Sequence, residues 1–241
     1  MKASSAPGLE AATDDRIRPG FLRRVPLKNG HVATLRWVEP ADLPVIEQAL
    51  SELSLRSRFF RFHSLFARPS EATLRTLVEI DPDDHVALVA TELSLDLKTE
   101  RGIGIARLVR DPKNASRAEV AITVLDAYQG LGVGTLLGTL LRSAAKERGI
   151  HTLYAEVLSE NDVARAALET AGARKVEGGK KATPGVTTYE IAVLVADDAK
   201  VREWLGAFRV FTRMFHDEVE KWKGGSAVGP EDSDWSMDDL P

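Results

Sequence analysis

Apolar positions in this chain switch between a period of two and a period near 3.6, and the switches divide it into elements. Residues 34–39 alternate and predict a strand, closed by Pro40. Asp42 then stands as the N-cap of a helix with Leu43, Ile46, Leu50 and Leu53 on one face. Ser70 is a second N-cap, followed by Leu74, Leu77 and Val78, and the Pro82 turn ends that helix. Strands are predicted at 86–93, 102–109 and 118–125, with polar turns at 96–101 and 111–117. A helix over 135–148 places Leu136, Leu137, Leu140, Leu141, Ala144 and Ala145 together and stops at Gly149. A strand at 152–158, a helix at 161–171 stopped by Gly172, and strands at 174–177 and 187–195 complete an α/β (mixed α+β) domain over 25–196.

The flanks read differently. Residues 1–24 mix Ser, Ala, Pro, Gly and charges without periodicity and predict a flexible leader. Over 197–224, Val201, Trp204, Leu205, Phe208, Phe211, Phe215, Val219 and Trp222 recur at helical spacing, predicting a C-terminal amphipathic helix. Its aromatic face suits packing on the chain's own domain, or a homodimer. Residues 225–241 predict an acidic disordered tail: Glu231, Asp232, Asp234, Asp238 and Asp239 carry −5 of a net −4, leaving the rest of the chain at +1.

Composition narrows the chemistry. With no cysteine, disulfides, thiolate metal sites and a cysteine nucleophile are excluded. The five histidines show no metal-ligand spacing, so no metal is expected. A nearly neutral body argues against nucleic acid as a partner, because phosphate neutralisation needs a basic surface. The longest apolar run spans 191–196, far short of a membrane span, and the N-terminus lacks the apolar stretch of a signal peptide. A cytoplasmic location and no membrane partner are expected.

The most informative segment reads Val124-Leu125-Asp126-Ala127-Tyr128-Gln129-Gly130-Leu131-Gly132-Val133-Gly134-Thr135. A strand enters a glycine-rich turn that opens an apolar-faced helix. Glycines let backbone N–H groups approach a ligand, and the helix start adds its positive end, so the turn suits a phosphate or pyrophosphate. The alternative of a plain tight connection stays open. A dinucleotide site expects G-x-G-x-x-G, whereas this loop is G-x-G-x-G and more than 80 residues with their own strands precede it.

The run Gln129-Gly130-Leu131-Gly132-Val133-Gly134 resembles the Q/R-x-x-G-x-G/A acyl-CoA signature of the GNAT superfamily of N-acetyltransferases, and the order of elements over 25–196 is similar to that fold. The resemblance implies a mixed, twisted sheet of about six to seven strands, flanked by helices, with its fourth and fifth strands splayed. Acetyl-CoA would be the acyl donor. Its pantetheine arm would lie in the splay against the backbone of Ile122, Thr123 and Val124. Its pyrophosphate would rest on Gln129, Gly130, Leu131, Gly132, Val133, Gly134 and Thr135. Three further segments resemble the catalytic domain of bacterial protein-lysine acetyltransferases of the Pat type: Arg56-Ser57-Arg58-Phe59-Phe60-Arg61-Phe62, Asp83 to Ala90, and Ala118-Glu119-Val120-Ala121. That similarity implies a primary amine acceptor, a protein lysine first and a small-molecule amine second. A weakly catalytic acyl-CoA-binding module is the third alternative.

Amine acetylation needs a neutral nitrogen, yet a free lysine amine has a pKa near 10.4, so a base must take its proton. Glu119, ten residues before Gln129, holds the position of the family's catalytic glutamate. Among Val120, Ile122 and Val124, an inward carboxylate would have its pKa raised by desolvation; outward, it is a solvated edge residue. Backbone N–H groups near Val124 would steady the oxyanion. Asn161 resembles the superfamily's asparagine that fixes the CoA arm or a water, though Ser159 and Asp162 also form a helix-start signal around it. Where many family members carry a tyrosine that protonates the leaving thiolate, this chain has Leu168; Tyr154 and Tyr128 are substitutes without positional support, so the general acid is unassigned. The Arg56–His63 run, with arginines among phenylalanines, reads as a wall of the acceptor site or as a surface for stacking bases.

Overall fold

The computed structural model describes residues 16–62, 70–93, 99–176 and 185–193. The C-terminal helix expected over 197–224, the acidic tail over 225–241, most of the leader, His63 and the end of the strand expected at 187–195 lie outside the described residues. Among the described residues no helix is long and apolar enough to cross a membrane.

Among the described residues eight strands form one sheet: β1 (Leu22–Pro26), β2 (Val32–Trp37), β3 (His85–Leu93), β4 (Glu100–Asp111), β5 (Asn114–Val124), β6 (Thr152–Leu158), β7 (Arg174–Val176) and β8 (Val186–Ala192), in the order β1-β2-β3-β4-β5-β6-β8-β7. Every neighbouring pair is antiparallel except β5 and β6. The helices are α1 (Leu43–Glu52), α2 (Leu55–Phe62), α3 (Glu71–Val78), α4 (Val133–Glu147) and α5 (Asp162–Thr170). Six successive residues of β3, Val86 to Thr91, are buried, as expected of a central strand covered on both faces.

The two faces can be assigned from close approaches. A Cβ on Gly104 would lie 3.2 Å from Val133 Cγ1 and 3.3 Å from Leu137 Cδ1, so α4 packs on that face. On the other face a Cβ on Gly102 would lie 3.1 Å from the Val45 carbonyl oxygen, and only glycine lets α1 come so near. Gly102 and Gly104 point to opposite faces although two apart, because the β3–β4 register shifts at Ala90/Thr91 and slips Ile103 in as a bulge. α4 buries Val133, Leu136, Leu137, Leu140, Leu141, Ala144 and Ala145, the stripe its sequence spacing predicts.

Four expectations change. The sheet has eight strands rather than six or seven, and the splay falls between its fifth and sixth because β1 precedes the rest. Order begins well before residue 25: Ile17 is 1% and Phe21 6% exposed. Ile17 is held at both ends of its backbone, its N–H donating to Glu147 Oε2 at 3.0 Å and its carbonyl accepting from Arg148 Nη2 at 2.9 Å. Asp42 is the N-cap residue of α1, as expected, but its side chain makes no cap bond; its carboxylate takes both Arg36 Nη1 and Nη2 at 2.7 Å and the Glu39 N–H at 2.8 Å. Finally, 55–62 is a helix of its own. Ser70 caps α3 as expected, accepting from Thr73 N at 3.1 Å.

Candidate functional site

The site grows from one break in the sheet. β5 and β6 pair only through Arg117, Ala118 and Glu119 against Thr152, Leu153 and Tyr154. Beyond that rung β5 stays paired with β4 as far as Val124, while β6 turns to β8 as far as Leu158. The edge of β5 over 120–124, with Ile122, Thr123 and Val124, therefore faces a gap with no ladder partner from β6. Backbone groups there that neither β4 nor Gln129 takes are available to an extended ligand.

The glycine loop closes one end of this gap. After β5 a 3-10 turn at Asp126–Tyr128 leads to Gln129. Gly130 (φ 77°) and Gly132 (φ 97°) then adopt left-handed conformations that disfavour any side chain. A Cβ at either would meet nothing within 4 Å, so they are glycines for backbone shape, not for packing. Gly132 is the N-cap of α4 with no side chain to cap it, and Val133, Gly134 and Thr135 form the first helical turn. Their N–H groups lack carbonyl partners within the helix, an arrangement suited to pyrophosphate. Gln129 Nε2 reaches back to the Val124 carbonyl at 3.3 Å, and the Leu131 carbonyl accepts from Lys28 N at 3.3 Å.

Glu119 stands on the last paired rung, opposite Tyr154 on β6 and Val109 on β4. Its surroundings differ from the sequence expectation. Side chains alternate along a strand: Ile122 and Val124 lie against α4 at Gly138 and Gly134, and Val120 packs on the Ala155–Val157–Tyr189 cluster. Glu119 points to the opposite face, with Ala121 and Thr123, and Thr123 helps line a small apolar cavity under α1. The groups that act on it are Arg61 of α2, Arg107 of β4, and Tyr154 and Glu156 of β6. Its side chain is open at the mouth of the gap, yet burial by the surrounding protein is the largest cause raising its pKa. The like charge of Glu156 adds to this, and Arg61 and Arg107 offset it.

The cations are themselves held in place. Arg107 Nε donates to His85 Nε2 at 2.9 Å and its Nη2 to the Thr76 carbonyl at 2.7 Å. Burial and the nearby Arg107 push His85 down to about 4, so its imidazole is neutral and accepts on Nε2. Burial also lowers the Arg107 guanidinium to about 10 and depresses Arg61. Arg117 stacks over the Tyr154 ring, 4.3 Å from its centroid, and pairs with Glu190. Burial and the Glu119 charge raise the Tyr154 phenol.

The Arg56–Phe62 run forms α2 beside this pocket. Arg58 Nη2 donates to the Ser51 carbonyl at 3.1 Å, and Arg56 lies 5.3 Å from the Phe60 ring centroid. Asn161 is the N-cap of α5, its Oδ1 accepting from Ala164 N at 3.1 Å, so that oxygen is committed to the helix. Leu168 packs on Ala155, Val157 and Tyr189, on the face away from Glu119. Tyr128, a possible substitute acid, donates to Glu92 instead. Sequence reasoning missed Arg107 and Glu156, and considered Tyr154 only as a substitute acid. A signal for the last two was present: in 152–158 the polar Tyr154 and Glu156 alternate with Leu153, Ala155 and Val157.

The Acetyltransferase (GNAT) domain model matches residues 33–174. The acetyltransferase Pat of Mycolicibacterium smegmatis is 36% identical over 155 residues, 64% of this chain and 45% of that protein. The chain thus spans about half the length of that relative. An acetyltransferase of Pseudomonas aeruginosa, PA5475, is 30% identical over 128 residues, 53% of this chain and 67% of that protein. The crystal structure of the GNAT domain of S. lividans PAT superposes with a TM-score of 0.63 at 28% identity, covering 71% of this chain and 96% of that domain. The unpartnered β5 edge, the uncapped glycine turn and these similarities give one conclusion: the chain belongs to the GNAT acetyltransferase family, whose members use acyl-CoA donors.

Proposed function

We propose that this protein transfers acetyl from acetyl-CoA to the ε-amine of a lysine on another protein. The observation that carries the reading is Glu119, a carboxylate of raised pKa at the rung where β5 and β6 part. Beside it, Glu156 opens the acceptor side of the gap with negative charge, which suits an incoming ammonium group. Similarity to the Pat acetyltransferase over 155 residues supports the same acceptor class.

In this reading the pantetheine arm runs along the backbone of Ile122, Thr123 and Val124, and the pyrophosphate lies on 129–135. Glu119 takes a proton from the acceptor ammonium, directly or through one water. The freed nitrogen attacks the thioester carbonyl carbon, and negative charge on its oxygen is steadied by backbone N–H groups near Val124. The attacking nitrogen gives its second proton to water, the C–S bond breaks, an N-acetyl amide remains, and the CoA thiolate takes a proton. Solvent supplies that proton, since Leu168 has none to give and a thiolate is only modestly basic. A raised pKa serves Glu119 well, because a base works best with a pKa near the working pH.

Incubation with acetyl-CoA and a panel of proteins and small amines, read by mass spectrometry, tests this. Acetyl-lysine on proteins is expected. Acetylation confined to small amines would replace the acceptor, and none on any amine would leave a CoA-binding module.

A further inference from the structure

The helix bearing Arg61 is only half-buried, with no fully buried residue over 55–61. Arg58 ties it back to the Ser51 and Leu53 carbonyls, and a second polar anchor holds its start. Asp126, at the junction of β5 and the glycine loop, accepts three hydrogen bonds from the start of α2. These come from Ser54 N at 3.0 Å, Ser54 Oγ at 2.8 Å and Ser57 Oγ at 2.7 Å. Ser54 Oγ in turn accepts from Ser57 N at 3.1 Å, which caps the helix. Gln129 Nε2 lies 3.5 Å from Ser57 Oγ while also bonded to the Val124 carbonyl. Burial raises the Asp126 carboxyl, but the bonds from Ser54 and Ser57 outweigh it and leave the pKa below its usual range.

We propose that Asp126 is a positioning residue: it fastens α2 to the donor loop, so that Arg61 is brought beside Glu119 from the same anchor that shapes the acetyl-CoA site. The catalytic consequence rests on the acetyl-transfer reading above; the fastening does not. Ser57 and Arg61 are four residues apart, about one helical turn, so Arg61 moves with the anchored turn. Glu119 is faced by Arg61 from α2, Arg107 from β4, Glu156 and Tyr154 from β6, with Arg117 next on its own strand. Of the two cations that act on Glu119, Arg107 is bonded to His85 and Thr76 and stays when α2 loosens. Loss of the anchor therefore withdraws one cation, and the base becomes harder to ionise.

The test uses Asp126→Asn and the milder Ser57→Ala in the full chain, with Asp42→Asn as control. Asp42 bonds Arg36 and the Glu39 N–H and none of the groups that face Glu119, so its substitution destabilises without disturbing the anchor. Amide exchange without ligand should rise about tenfold or more over 55–61 in both anchor variants and not in α4. The acid limb of kcat/KM against pH should move up by about half a unit in the anchor variants and not in Asp42→Asn. Unchanged exchange over 55–61, an unmoved acid limb despite faster exchange, or an equal shift in Asp42→Asn overturns the proposal. Absence of turnover in the wild type would overturn the acetyl-transfer reading, while the exchange measurement would still decide the anchor.

Discussion

Glu119 and Tyr154 face each other on the last rung of the parallel ladder, and past that rung β5 and β6 separate. This places a carboxylate at the vertex of a wedge whose far end is the glycine loop. Its charge is disfavoured by burial and by Glu156, and partly restored by Arg61 and Arg107.

A raised carboxylate pKa means that the folded state binds the proton more tightly than the unfolded chain does. Glu119 therefore opposes folding above the unfolded-state pKa, and that cost fades as the pH falls through its folded pKa. Glu119→Gln should be at least as stable as the wild type at pH 7, with the difference vanishing in acid. Thermal unfolding at several pH values measures this; a less stable variant at pH 7 would contradict the balance of charges described.

Glu156 raises Glu119 by like charge, so its removal should do the opposite of removing a cation. Glu156→Gln is expected to shift the acid limb of the rate profile to lower pH. It should also raise KM for a cationic acceptor several-fold, as the opening loses negative charge. A limb that stays in place would show that the two carboxylates do not sense each other, and one that moves upward would reverse the sign of their coupling.

Gly132 holds φ 97° at the start of α4. Gly132→Ala should cost roughly 1–2 kcal/mol of strain in the left-handed region. If the turn relaxes to avoid this, its N–H groups lose their aim, and acetyl-CoA affinity should fall at least about tenfold by isothermal titration, equivalent to about 1.4 kcal/mol. Unaltered affinity would place the pyrophosphate elsewhere.

Asp42 is 4% exposed and carries a two-pronged bond from Arg36, whose guanidinium also reaches Glu100 Oε2 at 2.7 Å. Asp42→Ala should destabilise by roughly 3–5 kcal/mol, because it strands a largely buried cation. Urea unfolding checks this, and a loss below about 1 kcal/mol would mean that Glu100 alone satisfies Arg36.

Legibility in the sequence followed how local each cause was. The glycine turn could be read because a left-handed backbone demands glycine at Gly130 and Gly132 themselves. The α4 stripe could be read because its period belongs to one helix. β1 and the segment before it were hidden: Ile17, Phe21, Leu22 and Val25 stand among arginines with no sustained period, and Ile17 is fixed by Glu147 and Arg148 from the far end of α4. The face of Glu119 was misread because neighbouring residues of a strand point to opposite sides, so Val120 and Ile122 do not surround it. Arg61, Arg107 and Glu156 meet Glu119 only through tertiary register, which spacing along the chain does not carry. Asn161 showed the opposite problem, since one residue type serves both as a helix cap and as a ligand group.

The most direct test of the account is turnover by Glu119→Gln alongside its affinity for acetyl-CoA, at the pH optimum of the wild type. The account predicts kcat/KM for a protein lysine lower by about 10²–10⁴-fold, with the dissociation constant of acetyl-CoA within about twofold of wild type. Retention of more than about a tenth of wild-type turnover, with binding intact, would contradict Glu119 as the base and return the proton transfer to another group.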